Sequence, residues 1–189
     1  MRDGFKEFRV AVISSFASDE PIIEILNAAR DLHSVRFYIT GNYSRVKGIV
    51  KQTLNWNQGN VIFTGFLHRD DYVALLRSVD VVMVLTKRDK TMLAGAYEAL
   101  AIKKPLITSN WDPLKRYFNK GTIFVDNTPE EIKEAIKTAQ QDQEELVKEI
   151  SQLKFEKTNE WKEKFIKFQS KLQKHTREHR NLISRVQPM

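Results

Sequence analysis

Residues 79–110 read VDVVMVLTKRDKTMLAGAYEALAIKKPLITSN. Val79 to Leu85 are apolar on both faces and rich in β-branched side chains, which marks a strand buried in the middle of a parallel sheet. Thr86 to Lys90 then form a polar loop, a helical pattern follows, and Leu106 to Ser109 make a second buried strand. In such sheets ligands bind in the loops that leave the carboxyl ends of the strands. A single carboxylate, Glu98, lies inside the helix. Thr91 is placed to cap that helix and to aim the N–H groups of Met92, Leu93 and Ala94 into the loop crevice, with the positive dipole end behind them. An anion suits that position, although every α/β domain has ordinary helix starts of the same kind.

Outward from this stretch, strand and helix alternate. Strands are expected at Val10 to Ser14, Val35 to Thr40, Val61 to Thr64, Val79 to Leu85, Leu106 to Ser109 and Thr122 to Val125, with helical patterns between them. Repeated βαβ units imply a parallel sheet. The fold class is therefore α/β: a Rossmann-like three-layer domain over residues 9–140, with a sheet of about six strands. Ser18 before Asp19 and Glu20, Asp112 before Pro113, and Thr128 with Pro129 and Glu131 are the helix-start signals. Residues 141–189 form a different regime, a basic amphipathic helical extension without Gly or Pro until Pro188. Its apolar residues fall in two sets at helical spacing, Leu146, Ile150 and Leu153, then Trp161, Phe165, Phe168 and Leu172.

Composition narrows the classes. The 189 residues are 41% hydrophobic, enough for a proper core yet short for two Rossmann-like domains. Cysteine is absent, so disulfides and thiolate metal sites are excluded and a reducing, cytoplasmic setting is the default. No apolar run is long enough to span a bilayer, and MRDGFKEF lacks a signal-peptide core, so a soluble or membrane-peripheral protein is expected. The formal charge is +7, but residues 148–189 hold 11 Lys plus Arg against 5 Glu, which leaves the rest nearly neutral. Such a run serves as a solvated face, as an attraction to an anionic membrane, or, with no supporting motif here, to nucleic acid. The four histidines, His33, His68, His175 and His179, show no metal-ligand spacing, so no metal site is expected. GNYSRVKG and the other loops carry no P-loop, dinucleotide or GxSxG motif.

The segments FTGFLHRDDYVALLRSVDVVMV, YEALAIKKPLITSN and GTIFVDNTPEEIKEAI together resemble the carboxyl-terminal, nucleotide-sugar-binding half of a GT-B glycosyltransferase of group 1, over about Val10 to Ala139. In that family two glutamates separated by seven residues flank the phosphate loop. The second, which binds the ribose hydroxyls, falls on Glu98, and the first falls on Lys90. The family also neutralises the diphosphate with an Arg and a Lys in the first loop, where this chain has SSFASDE between Ser14 and Glu20.

The resemblance makes Lys90 and Glu98 the candidate catalytic residues. Glu98 would accept hydrogen bonds from a ribose diol, or else serve as an exposed helix glutamate or a partner for Lys103 or Lys104. Lys90, with Arg88 and Lys87, would supply the counter-charge that the first loop has lost, since metal-free transferases draw it from Lys, Arg and helix N-termini. The competing role is a solvated loop, with Asp89 holding Lys90 or Arg88 or capping the helix. The donor-binding set adds Ser14 and Ser15, whose hydroxyls bind phosphate or cap local backbone, Gly41 and Gly65, which permit close approach of a ligand or make turns, and Arg88, Thr91, Met92 and Leu93.

The function implied is transfer of a glycosyl group from a nucleoside diphosphate sugar to a glycan or lipid-linked acceptor, without a metal or other cofactor beyond the donor itself. Acceptor binding would fall to an amino-terminal domain or a separate partner chain. The basic extension would dock to that partner or to a second copy, and nucleic acid is not an expected partner. The rival reading is a catalytically inert nucleotide-sugar-binding or scaffold domain, suggested by the altered glutamate pair and the lost cations.

Overall fold

The computed structural model describes residues 7–45 and 59–186. The end of the GNYSRVKG loop and the side chains of His175 and His179 lie outside the described residues.

Strands β1 (Phe8–Val12), β2 (Val35–Thr40), β3 (Val61–Gly65), β4 (Val81–Val84), β5 (Leu106–Ser109) and β6 (Thr122–Val125) form one parallel sheet in the order β3-β2-β1-β4-β5-β6. The order reverses at β1, which pairs β2 on one side and β4 on the other. That reversal opens a crevice at the carboxyl ends of β1 and β4, the usual ligand position in open α/β sheets. The central strands β4 and β5 are buried along their whole length, as a two-faced apolar run requires.

Helices cover both faces. On one face α1 (Ile22–Arg30) and α5 (Pro129–Gln141) lie side by side over Val10, Val12, Phe37, Ile39, Val81 and Met83. On the other, α2 (Arg69–Ser78), α3 (Ala94–Ala101) and α4 (Asp112–Tyr117) bring Leu76, Ala96, Ala99, Leu100 and Leu114 onto Ala11, Val82, Val84 and Leu106. The apolar residues of α1 and α5 recur at three- and four-residue steps, so one face of each helix is fully buried. Thr128 caps α5 by accepting a hydrogen bond from the Glu131 N–H at 3.2 Å, with Pro129 at the first helical position. Ser18, by contrast, caps nothing: α1 begins at Ile22, after Pro21, because Asp19 and Glu20 are turned back toward the sheet.

The last helix, α6 (Gln143–Val186), belongs to two units. Its first turns lie within a compact unit that runs to Leu153, farther than the sequence boundary at residue 140. Leu146, Ile150 and Leu153 are buried, and the chain approaches so closely at Gly121 that a Cβ there would stand 2.5 Å from the Ile150 backbone nitrogen. Glu149 accepts the Gly121 N–H at 2.9 Å. The second unit, residues 154–189, is helix up to Val186. Its Trp161, Phe165, Phe168 and Leu172 are all exposed, and Trp161 stacks on Phe165 with ring centres 5.0 Å apart. No described helix is long and apolar enough to cross a membrane.

Candidate functional site

The first loop folds around an anion of its own. Phe16 has φ +57°, rare for a large L side chain, and is held there by burial against Tyr43 and Phe63, whose ring centres lie 6.3 and 6.1 Å from its own. This turn points successive N–H groups into one concavity, the geometry of an anion-binding nest. The Glu20 carboxylate fills it. It accepts the Ser15 N–H at 3.0 Å, the Phe16 N–H at 2.9 Å, the Ser14 hydroxyl at 2.5 Å and the Ser15 hydroxyl at 2.7 Å. Ser14 and Ser15 are thus phosphate-type donors already engaged by a carboxylate six and five residues along the chain.

The β4 loop is stitched across the same crevice. Thr86 donates its N–H to Ser109 Oγ at 2.8 Å, and its carbonyl accepts from Trp111 Nε1 at 2.9 Å and Asn127 Nδ2 at 3.1 Å. Its hydroxyl donates to Asp19 at 2.9 Å, and the Lys87 N–H donates to the Asp19 carbonyl at 2.6 Å. Arg88 lies 3.6 Å from the Asp19 carboxylate and Lys87 2.8 Å from Glu24. The two cations nearest the crevice are therefore partnered by acidic residues of the first loop and α1. Asp89, expected to hold Lys90 or Arg88 or to cap the helix, instead offers its backbone carbonyl to the Thr91 hydroxyl at 3.1 Å. Lys90 is exposed at φ +54° and forms no ion pair with a described residue.

Thr91 is not the cap of the Glu98 helix. The chain is not yet helical at Met92, Leu93 is extended and occupies the N-cap position without a side-chain hydrogen bond, and α3 begins at Ala94. The N–H groups at the helix head are accordingly those of Ala94 and Gly95, where no intrahelical acceptor exists, rather than those of Met92 and Leu93. Gly95 lets this helix head pack closely on the sheet: a Cβ there would stand 2.8 Å from the Ile13 side chain and 3.0 Å from that of Val84, so a larger residue would require those side chains to shift. Glu98 falls in the second turn of α3, exposed, two residues nearer the helix start than a cap at Thr91 would place it.

Beside this helix head lies a cavity of about 430 Å³ at the carboxyl ends of β1, β2 and β3, within the size range of small-molecule sites. Ser14, Thr40, Gly41, Phe66, His68 and Tyr72 are among its lining residues. Tyr72 joins the cavity to α3, donating its hydroxyl to a Glu98 carboxylate oxygen at 2.5 Å. Burial first, and then the Glu98 carboxylate, hold the Tyr72 phenol protonated well beyond the ordinary tyrosine range. It is a fixed donor, and it keeps Glu98 aimed as a hydrogen-bond acceptor.

Gly41, at φ +99°, borders the cavity, but its missing Cβ makes room for protein: a Cβ would stand 2.1 Å from the Ser14 carbonyl oxygen. Its close approach is chain to chain. Gly65, at φ +70°, turns the chain after β3, and its carbonyl accepts the Gly41 N–H at 3.0 Å. Ser14, Gly41 and, through Tyr72, Glu98 are thus gathered at one cavity, while Ser15 and Arg88 contact the acidic residues of the first loop and Lys90 stands exposed on the loop after β4. Sequence reasoning missed Tyr72, Glu20, Asp19 and Thr86. The signal for the first was the HRDDY segment after β3, and for the acidic pair SDEP, carboxylates where cations were expected. Among the described residues, no three His, Cys, Asp or Glu side chains cluster as metal ligands would.

A doubly wound parallel sheet with a cavity at its strand ends defines a Rossmann-like α/β domain. The sequence profile of the family Glycosyl transferases group 1 matches residues 5–157, and the chain belongs to that family. By sequence, no curated protein matches the chain. Among solved structures, the UDP-forming α,α-trehalose-phosphate synthase of Burkholderia xenovorans superposes with a TM-score of 0.65 at 16% identity, over 87% of this chain and 45% of that one. Sucrose-phosphate synthase of Thermosynechococcus elongatus gives 0.61 at 19% identity, over 85% and 46%. HepE of Anabaena, in complex with UDP-glucose, gives 0.65 at 18% identity, over 79% and 43%. At these identities the likeness establishes the fold, and this chain spans less than half the length of each of these proteins.

Proposed function

We propose that this chain is the donor-binding half of a glycosyltransferase, which moves a glycosyl group from a nucleoside diphosphate sugar to a hydroxyl of a glycan or lipid-linked acceptor without a divalent metal. The observation that carries the reading is the cavity at the strand ends joined to Glu98 through Tyr72. The nucleoside enters this cavity, and its ribose hydroxyls share the Glu98 carboxylate with the Tyr72 phenol. The diphosphate lies toward the head of α3 and Lys90, which offer N–H groups, the helix dipole and an ammonium to the leaving group. Stabilising that charge as the glycosidic bond breaks is the domain's part in the reaction. The acceptor is held by a second domain, in the same polypeptide or another. Because HepE is described with UDP-glucose, uridine donors are the first to try. Titration calorimetry with a panel of nucleoside diphosphates and their sugars tests the reading, and a chain that takes up none of them refutes it.

A second reading is favoured by one observation, the Glu20 carboxylate seated in the first-loop nest. A domain whose phosphate donors are satisfied internally binds the nucleoside part of a donor while holding its diphosphate weakly, as an inert binding or scaffold domain would. Weak binding of nucleoside and nucleoside diphosphate with equal affinity would mark this case.

A further inference from the structure

The exposed stripe of the last helix lies outside the part of the chain that the family profile covers, which ends at residue 157. Trp161, Phe165, Phe168 and Leu172 are spaced by four, three and four residues, which puts them on one narrow face of a helix. All four are between 42% and 62% exposed, and a contiguous stripe of large apolar side chains marks an interaction surface.

The charges beside the stripe decide what that partner is. Lys157, Lys164 and Lys171 recur every seven residues along one edge, and Lys162 stands on the other. Glu160 lies within ion-pair distance of Lys157 and Lys164, at 3.2 and 4.0 Å, but exposed pairs of this kind contribute little. If a second copy packed its stripe against this one, these edges would meet as in a coiled coil. In a parallel pair Lys157 faces Lys162, and in an antiparallel pair the heptad lysines face one another. Like charges thus disfavour a homodimer through this face. An anionic surface complements it. Aromatic side chains on one face and lysines on its flanks are the properties of a helix that lies in the membrane interface; Phe155 and Ile166, both exposed, are the apolar exceptions off the stripe.

We propose that residues 154–173 bind the surface of a bilayer containing anionic phospholipid, with Trp161, Phe165, Phe168 and Leu172 inserted at the headgroup boundary and the flanking lysines on the lipid phosphates. The test is co-sedimentation of the full chain with vesicles of phosphatidylcholine alone and with mixed phosphatidylcholine–phosphatidylglycerol vesicles. The chain is expected to pellet with the mixed vesicles only, and less so as salt is raised. Trp161→Glu with Phe165→Glu lowers the partition at least tenfold, and Lys164→Glu with Lys171→Glu removes the preference for anionic lipid. Because these positions are exposed and lie beyond Leu153, the circular dichroism and melting of the α/β body report that the variants remain folded. No binding, equal binding to both vesicle types, or variants that bind like the wild type overturn the proposal. So does light scattering that shows a dimer dissociated by the Trp161→Glu, Phe165→Glu variant, which would assign the stripe to a second copy.

Discussion

Replacing Glu20 by glutamine removes the charge from the first-loop nest with little change in shape. A phosphate that reached this loop would stand about 5 Å from the carboxylate. One unit of phosphate charge at that distance is repelled by about 3 kcal/mol at an effective dielectric near 20, and by under 1 kcal/mol in bulk water. The crevice is half open, so Glu20→Gln should strengthen nucleoside diphosphate binding by about 1–3 kcal/mol, roughly 5- to 150-fold. A bare nucleoside has no phosphate to repel, and its affinity should stay the same. The substitution has a structural cost, because the amide is a weaker acceptor for the Ser15 and Phe16 N–H groups that hold Phe16 at φ +57°. Its melting temperature should fall by a few degrees. Calorimetry with matched nucleoside and nucleoside diphosphate, on wild type and variant, reads all of this. A variant that gains nothing for the diphosphate, or gains equally for both ligands, refutes the idea that Glu20 occupies a phosphate position.

Glu98→Gln should weaken nucleoside diphosphate binding by about 1–3 kcal/mol, the range for a hydrogen bond to a charged acceptor, whereas a 2′,3′-dideoxyribose analogue should bind both proteins alike. Lys90→Ala should lower diphosphate affinity more than nucleoside affinity, with a difference that salt erases, and equal losses would return Lys90 to the role of a solvated loop residue. Ile150→Ala should cost about 2–5 kcal/mol in urea unfolding, since Ile150 is fully buried where α6 meets Gly121. The Lys133 ammonium, 2.8 Å from Asp31, holds that carboxyl below its ordinary range. A depressed folded value means the contribution is present above the unfolded aspartate range and lost as the pH falls through the folded one, so melting followed against pH should lose that acid-side step in Asp31→Asn.

Periodicity and composition carried most of the sheet. Val35 to Thr40, Leu106 to Ser109 and Thr122 to Val125 were legible to the residue because their alternation or apolar runs end at turn residues. The first strand lies two residues earlier than its hydrophobicity suggested, since Ile13 and Ser14 belong to the loop that bends toward Glu20. Val79 and Leu85 are buried outside β4, so burial made the run look longer than the ladder. The site was less legible. Thr91 is a good cap residue by type, yet its hydroxyl is used by the Asp89 carbonyl, and α3 begins at Ala94 with Leu93 at the N-cap. The Glu98–Tyr72 pair joins residues 26 apart, and the Glu20 nest depends on one left-handed backbone turn at Phe16. Neither contact follows from local propensity.

The most direct test of the account is titration of this chain with UDP, UDP-glucose and the corresponding guanosine and adenosine compounds in EDTA. Saturable binding of at least one nucleoside diphosphate, unchanged when Mg²⁺ replaces the chelator and weakened by Glu98→Gln, is the predicted result. Binding that appears only with Mg²⁺ or Mn²⁺, or no binding of any of these ligands, would contradict it.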